Sequence, residues 1–369
     1  MGAVAFPVDR VTAREAPGPA AAVSPSELAQ MRLLATGFMT RWGVPGMQVA
    51  IARADAIAYN AAFGLADATK ATPLTTANLF RVASLSKPIT SVAIYKLIEA
   101  GKLTVGSRVF GPGALLGTRY GSKPYSAALR SVTVGHLLTH TAGGWPNDAA
   151  DPMFLFPSMT IQDLISWTLD NRPLTNVPGT SYAYSNFGYA VLGRVIETLS
   201  GKGYGSYVAN TVLKPCGISA MKLAGNTLAD RLPGEVRYKG QFGENPYNMN
   251  VRRMDAHGGW AASAADLVRF LVRVDNFPQA KDILKAASLA SMTLSTSANP
   301  NYAKGWEVNV FNNWWHSGSL PGTTTFMARI SSNFCWAALT NSRVPGSNMN
   351  LELDQLMWTI ASVPASWGL

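Results

Sequence analysis

Charge is scarce in this chain of 369 residues: Asp, Glu, Lys and Arg together make up 14%, against 47% apolar residues. That balance excludes an intrinsically disordered protein, and the length suits one large domain or two modest ones. Acid is the scarcer sign, 21 residues against 31 basic, for a formal net charge of +10 and a pI near 9.6. The basic residues are scattered, with "RVTAR" and "VRRM" the densest groupings and no aromatic-plus-Arg motif beside them, so no nucleic-acid partner is expected. A mild attraction for anionic substrates or surfaces is what the excess leaves. Long apolar runs are also missing: none reaches the ~18–20 residues of a membrane span. Cysteine is nearly absent. Cys216 and Cys335 lie 119 positions apart and read as two buried free thiols, which leaves the compartment open between cytoplasmic and periplasmic or secreted.

The first 27 residues, rich in Ala and Pro, read as a loosely ordered arm or the remnant of a removed leader. "PSELAQMRLLATGFMTRWGV" then has helical spacing, with Ser26 and Glu27 suited to a first turn. "PGMQVAIARADAIAYNAAFGLAD" reads as two strands joined by a tight turn near Ala54 and Asp55. From 84 to 250 the pattern is helical, in segments such as "KPITSVAIYKLIEAG", "TVGHLLTHTAG", "YSNFGYAVLGRVIETLSG" and "YGSYVANTVLKPCG" that end near Gly or Asn. After 250, "SAADLVRFLVRV" and "AKDILKAASLASM" read as helices, "KGWEVNVFNN", "WWHSGS", "TTTFMARIS" and "FCWAALTNS" as a strand meander, and "MNLELDQLMWTIAS" as a closing helix. The expectation is an α/β domain from residues 28–83 and 251–369, its antiparallel sheet built from both ends of the chain and flanked by helices, with a helical domain at 84–250 inserted into it.

Three short stretches carry chemistry. In "FRVASLSKPIT", Ser84 and Lys87 stand three apart at a helix start, on one face. A serine hydroxyl is a poor nucleophile until a base takes its proton, and a lysine becomes that base if burial or nearby positive charge lowers its pKa. Alone, the same pattern is far more often a capping serine beside a solvated lysine. In "PGTSYAYSNFGYAVLG", Tyr184 can donate a phenolic proton, or accept one as phenolate, and Asn186 offers a donor and an acceptor. In "WWHSGSLPG", His316 precedes Gly318, where a glycine lets substrate approach the backbone. The N–H groups of Ser319 and Ser84 are placed to form an oxyanion hole. Rival chemistries find no pattern. There is no G-x-S-x-G elbow, no phosphate loop or dinucleotide fingerprint, and no cofactor motif. "HLLTH" sets His136 and His140 one turn apart without the glutamate of a zinc helix, so no metal is expected.

Taken together and in this order, Ser-x-x-Lys, Tyr-Ser-Asn 100 residues later and His-x-Gly 132 residues after that resemble the penicillin-recognising serine hydrolases. The nearest branch holds class C β-lactamases, D-Ala-D-Ala carboxypeptidases, D-aminopeptidases and family VIII esterases. "LIEAGKLTV", "VTVGHLLTHTAGG" and "HGGWAASAADLVRF" extend the resemblance over about residues 28 to 362. It implies the β-lactamase/transpeptidase-like fold, Ser84 as the acylated nucleophile, Lys87 as its base, Tyr184 as proton relay and Asn186 as partner of Lys87 and substrate. The implied substrates are small esters, peptide-like amides or β-lactams. His316 stands where β-lactamases carry a lysine, which weakens the expectation of β-lactam hydrolysis, since neutral histidine supplies little fixed charge. Trp145, Trp260, Trp306, Trp314 and Trp315 lie in or beside the motif loops and are candidates for an apolar acyl pocket. Two other readings stay open: an acyltransferase or transpeptidase that passes the acyl group to an amine or alcohol, and a non-catalytic ligand-binding relative.

Overall fold

The computed structural model describes residues 23–367. The first helix, α1 (Pro25–Trp42), is opened by a capping box in which the Ser24 hydroxyl accepts from the Glu27 N–H and the Glu27 carboxylate accepts from the Ser24 N–H. It therefore takes residues 25–27 out of the expected arm; the rest of that arm, up to 22, lies outside the described residues. Two strands follow, β1 (Gly46–Arg53) and β2 (Ala56–Asp67), joined at Ala54 and Asp55 with φ of +47° and +65°. Short β3 (Thr72–Pro73) and β4 (Phe80–Arg81) lead into α2 (Ser86–Glu99). Five more helices follow: α3 (Ala127–Ser131), α4 (Val134–Leu138), α5 (Ile161–Asn171), α6 (Asn186–Ser200) and α7 (Tyr204–Val208). Next come β5 (Lys222–Leu223), α8 (Asp255–Gly258), β6 (Trp260–Ala262), α9 (Ala264–Leu271) and α10 (Ala286–Thr293). Finally β7 (Glu307–Val308), β8 (Trp314–Leu320), β9 (Thr323–Ile330) and β10 (Phe334–Thr340) run into α11 (Met349–Ala361).

Seven strands form one antiparallel sheet in the order β3-β2-β1-β10-β9-β8-β7, so the two ends of the chain meet where β1 pairs with β10, Met47 opposite Thr340 through Arg53 opposite Phe334. Both faces are covered, which is why β1 and β10 read as nearly continuous apolar runs and why every residue of β9, its three threonines included, is buried. The two-residue period still sorts them. Met47, Val49, Ile51, Phe326, Ala328, Trp336 and Ala338 pack under α1 and α11, whereas Ala50, Ala52, Met327, Ala337 and Leu339 join the larger core with α2, α6 and α9. Small β4, β5 and β6 make a second sheet beneath the start of α2. Among the described residues, no helix is long and apolar enough to cross a membrane.

Two expected helices come out shorter. Over 204–217 a single α turn gives way to a wider turn at Ala209–Leu213 and a tight one at Lys214–Cys216, because Pro215 has no N–H to continue an α ladder. Residues 280–285 stay out of α10: the Asp282 carboxylate accepts the Asp275 N–H at 3.1 Å, and Ile283 N–H donates to the Arg273 carbonyl at 2.8 Å. Cys216 and Cys335 are both buried and free.

That detour gathers Asp55, Asp275 and Asp282. Burial first, then a hydrogen bond and the like charge from Asp55, pushes the Asp275 carboxyl up to about 7. A folded pKa above the free carboxyl value of about 4 means that the stabilising contribution is complete below that pH and is lost as pH rises through about 7. Asp275→Asn keeps an acceptor for the Phe277 N–H and removes the titration. It raises Tm by roughly 2–4 °C at pH 8, the effect of ~1 kcal/mol in a large domain, and leaves Tm nearly unchanged at pH 5. Melting curves at the two pH values check this; an equal shift at both would refute the titration.

Candidate active site

Between β4 and α2 the chain turns tightly through Ala83–Leu85, with Ala83 at a φ of +51°. This is left-handed backbone that costs a β-carbon about 1–2 kcal/mol. From Phe80 to Tyr95 every residue is buried except Ser84. The turn thus lifts one hydroxyl out of an apolar run, and α2 carries Lys87 back beneath it. Lys87 is fully buried, with Nζ 3.0 Å from Ser84 Oγ, 2.8 Å from Asn186 Oδ1 and 3.1 Å from the His257 carbonyl oxygen. Two of these, the amide and peptide oxygens, only accept. A neutral amine has two N–H bonds, which they take, leaving its lone pair toward Ser84. Burial drives the lysine well below its ordinary pKa, although the Asp151 charge opposes the shift.

The amide that directs this arrangement is itself oriented. Asn186 Nδ2 donates to Asp151 Oδ2 at 2.7 Å and Asn147 Oδ1 at 3.1 Å, so its oxygen must face Lys87. Asp151 is almost fully buried and also accepts the Met153 N–H. Ser185, between Tyr184 and Asn186, caps α6 by accepting the Gly188 N–H at 3.1 Å. The cap points Asn186 inward and leaves Tyr184 just outside the helix. The Tyr184 hydroxyl bonds the Ser84 side chain, and its ring centroid lies 4.7 Å from Lys87 Nζ. Burial raises the Tyr184 pKa, so of its two possible states the protonated phenol is present near neutrality.

Strand β8 forms the opposite wall. Over Gly318 a β-carbon would stand 2.2 Å from Thr325 Oγ1 and 2.6 Å from the Val82 carbonyl oxygen. The glycine therefore admits the Ser84 turn against the strand, rather than the substrate as expected from sequence. Ser317 N–H donates to the Glu307 carboxyl on β7; the two-residue period sets Ser319 on that same edge, past the end of β7, where no strand covers it. His316 is buried, its Nε2 3.1 Å from Tyr302 Oη and its Nδ1 2.6 Å from the Ser317 carbonyl oxygen. Burial, then the charge of Lys87, pushes its pKa down to about 3, so the imidazole is neutral throughout the physiological range.

Ser84, Lys87, Tyr184 and Asn186 thus converge directly, with His316, Gly318 and Ser319 facing them. Each of the five tryptophans packs against other groups. Trp145 packs on Phe187, Trp260 donates to Tyr204, Trp306 stacks on Phe270, and Trp314 lies under the Arg329 guanidinium. Trp315 is half-buried on the opposite face of the sheet, toward α1 and α11. Two hollows lie along this wall: one of about 290 Å³ is lined by Leu289, Leu294, Asn312 and Trp314, and one of about 120 Å³ opens beside Ser319 and Arg343. Sequence reading missed Asn147, Asp151, His257 and Tyr302, whose contacts span 35 to 170 positions of chain or lie outside any motif. His136 and His140 diverge: His136 accepts the Thr133 N–H in a cap, and His140 bonds Ser185 and Tyr302. Among the described residues, no group of three or more His, Cys, Asp or Glu is arranged to hold a metal.

Known proteins share this arrangement of the chain. Penicillin-binding protein 4 of Amycolatopsis lactamdurans is 26% identical over 88% of both chains. Penicillin-binding protein 4* of Bacillus subtilis is 27% identical over 74% of this chain, a match that takes in 62% of that protein's length. Esterase EstB of Burkholderia gladioli is 33% identical over 47% of this chain and 45% of its own. In fold, the D-amino acid amidase of Ochrobactrum anthropi aligns with a TM-score of 0.74 at 19% identity, covering 92% of this chain and 98% of its own. The family model described as Beta-lactamase matches residues 31–356, nearly the whole described chain, and the protein belongs to that family.

Proposed function

We propose that the protein is a metal-free serine hydrolase that cleaves small esters or peptide-like amides through an acyl-enzyme on Ser84. The observation that carries this reading is the buried Lys87 amine, 3.0 Å from the one accessible side chain of its segment, with its other two directions committed to acceptors. Neutral Lys87 takes the Ser84 proton as Oγ bonds to the substrate carbonyl carbon. The resulting oxyanion lies between the N–H groups of Ser84 and Ser319. Tyr184 gives its phenolic proton to the departing alcohol or amine and regains one from Lys87, leaving the acyl ester on Ser84. Water, deprotonated along the same path, then releases the acid and frees the hydroxyl.

His316 decides the substrate class within that chemistry. A β-lactam or C-terminal peptide carries a carboxylate that a lysine would pair with, whereas the neutral, buried His316 offers it no charge. Replacing a charged by a neutral partner forfeits about 1.5–3 kcal/mol, roughly ten- to a hundredfold. An ester or an amino-acid amide, the substrates that the names of the esterase and amidase relatives imply, needs no carboxylate partner. Treatment with a fluorophosphonate, followed by peptide mass spectrometry, places one adduct on Ser84. kcat/KM for a p-nitrophenyl ester or a D-amino-acid amide exceeds that for nitrocefin by at least that factor. An unlabelled Ser84 in folded protein overturns the acyl-enzyme; faster nitrocefin turnover overturns the substrate assignment. Products formed with competing amines or alcohols distinguish a hydrolase from an acyltransferase.

A further inference from the structure

Behind the reacting groups runs a chain of hydrogen bonds that the acyl-transfer scheme does not use. Its links are the Ser185 N–H at 3.0 Å from His140 Nδ1, His140 Nε2 at 3.1 Å from Tyr302 Oη, Tyr302 Oη at 3.1 Å from His316 Nε2, and His316 Nδ1 at 2.6 Å from the Ser317 carbonyl oxygen. Both ends fix its direction. A peptide N–H can only donate, so His140 Nδ1 is bare and, in a neutral ring, Nε2 carries the proton. A carbonyl can only accept, so His316 Nδ1 carries the proton and Nε2 is bare. Tyr302 stands between a donor and an acceptor: it accepts from His140 and donates to His316. The neighbouring Tyr189 gives its own proton to the Leu138 carbonyl at 2.8 Å, so toward the Tyr302 hydroxyl its oxygen is an acceptor only, second to the bare His316 Nε2. Reversing the chain would require deprotonating a peptide amide, so it cannot shuttle a proton across the site.

We propose that Tyr302 is a positioning residue for acyl transfer, whose single hydroxyl ties the two walls of the cleft together by joining His140 and His316, which the ends of the hydrogen-bond chain hold in opposite tautomers. On one side His140 fixes the Ser185 N–H, and its ring lies 4.3 Å from that of Tyr184. On the other, His316 clamps the Ser317 carbonyl, two residues before the Ser319 N–H. The hydroxyl therefore sets the distance between the proton relay and the strand edge that faces it, and a displacement of about 1 Å there costs up to 10²-fold in rate. Tyr302 and His140 are both buried, which keeps water from substituting for either link.

This role rests on the acyl-enzyme reading, but its spectroscopic consequence does not. The chain has four histidines, so ¹⁵N-histidine NMR with His140→Gln and His316→Gln variants for assignment resolves each ring. In the wild type His140 is protonated on Nε2 and His316 on Nδ1; a wild-type His316 carrying its proton on Nε2 overturns the proposal without any kinetics. Tyr302→Phe keeps the ring and removes the hydroxyl. It removes the hydrogen bond to the bare His316 Nε2, which moves that ¹⁵N resonance while the Ser317 carbonyl keeps the proton on Nδ1, and lowers kcat roughly ten- to a hundredfold, with KM within a few-fold. An unchanged His316 Nε2 resonance, or a fall in Tm with kcat intact, overturns the positioning role. Failure of Ser84 to label sinks the acyl-enzyme and leaves the tautomer result standing.

Discussion

Lys87→Met lowers kcat/KM for a p-nitrophenyl ester by roughly 10²–10⁴-fold, the contribution of a positioned general base. Methionine matches the lysine stem in length and is at home in the apolar surroundings of α2, but it has no lone pair to take the Ser84 proton. The pH profile gives a second signature. Burial lowers the Lys87 pKa, so the neutral amine dominates above the shifted value and activity falls on the acid side as the amine is protonated. That acid limb belongs to Lys87 and disappears in Lys87→Met. Loss of fold does not explain the effect, because two stability changes oppose one another. A base whose folded pKa is depressed contributes fully only above its unfolded pKa of about 10.4, and its contribution is lost as pH falls from there to the folded value. Removing it relieves that penalty at neutral pH, while leaving Asn186 Oδ1 and the His257 carbonyl without a donor costs about 1–3 kcal/mol. Steady-state kinetics from pH 5 to 10, with circular dichroism melts of the same samples, check the prediction. Activity within tenfold of wild type would pass the base role to another group.

The second large effect falls on stability. Arg81, three residues before the nucleophile, is fully buried and lies 3.6 Å from the buried Glu235. Its guanidinium donates to the Pro246 carbonyl at 2.5 Å and the Gly225 carbonyl at 2.9 Å, with the rings of Tyr238 and Tyr247 at 4.7 and 5.4 Å. Tyr238 closes the circuit, accepting from the Arg81 N–H at 2.6 Å and donating to Glu235 at 2.8 Å. Arg81→Met leaves a carboxylate buried without its cation and costs roughly 3–5 kcal/mol, a fall in Tm on the order of 10 °C. The double variant Arg81→Met/Glu235→Gln recovers part of that loss, because the stranded charge is gone. Thermal melts of both variants decide it: equal Tm values would show that lost packing, not an unpaired carboxylate, dominates. Esterase activity falls along with stability in the single variant, since the same strand leads into the Ser84 turn.

Much of the architecture was legible because it rests on local patterns. The β1–β2 hairpin, the β8–β10 meander and the long helices α1, α2, α6 and α11 each follow from apolar periodicity with a cap or turn residue at the boundary. Where reading failed, a long-range contact had overridden propensity. The segment before α10 was apolar enough to be helical, but its Asp282 is bonded to Asp275. The tryptophans flank the motifs, but sequence proximity says nothing about which face a ring occupies. Trp314 and Trp315 are neighbours, yet they point to opposite sides of one sheet.

The sequence by itself determined the family, the type of fold and the identity of the groups that converge on the site, because Ser-x-x-Lys, Tyr-Ser-Asn and His-x-Gly are each local and together uncommon. Only the tertiary structure decided their states. A neutral Lys87 turns its lone pair to Ser84 because Asn186, turned by Asp151, and the His257 carbonyl accept its two protons. His316 is neutral because it is sealed under the cleft beside Lys87 and bonded to Tyr302. Those partners lie up to 170 positions away along the chain, and a charge state is set by what surrounds a group in space, which no spacing along the chain encodes.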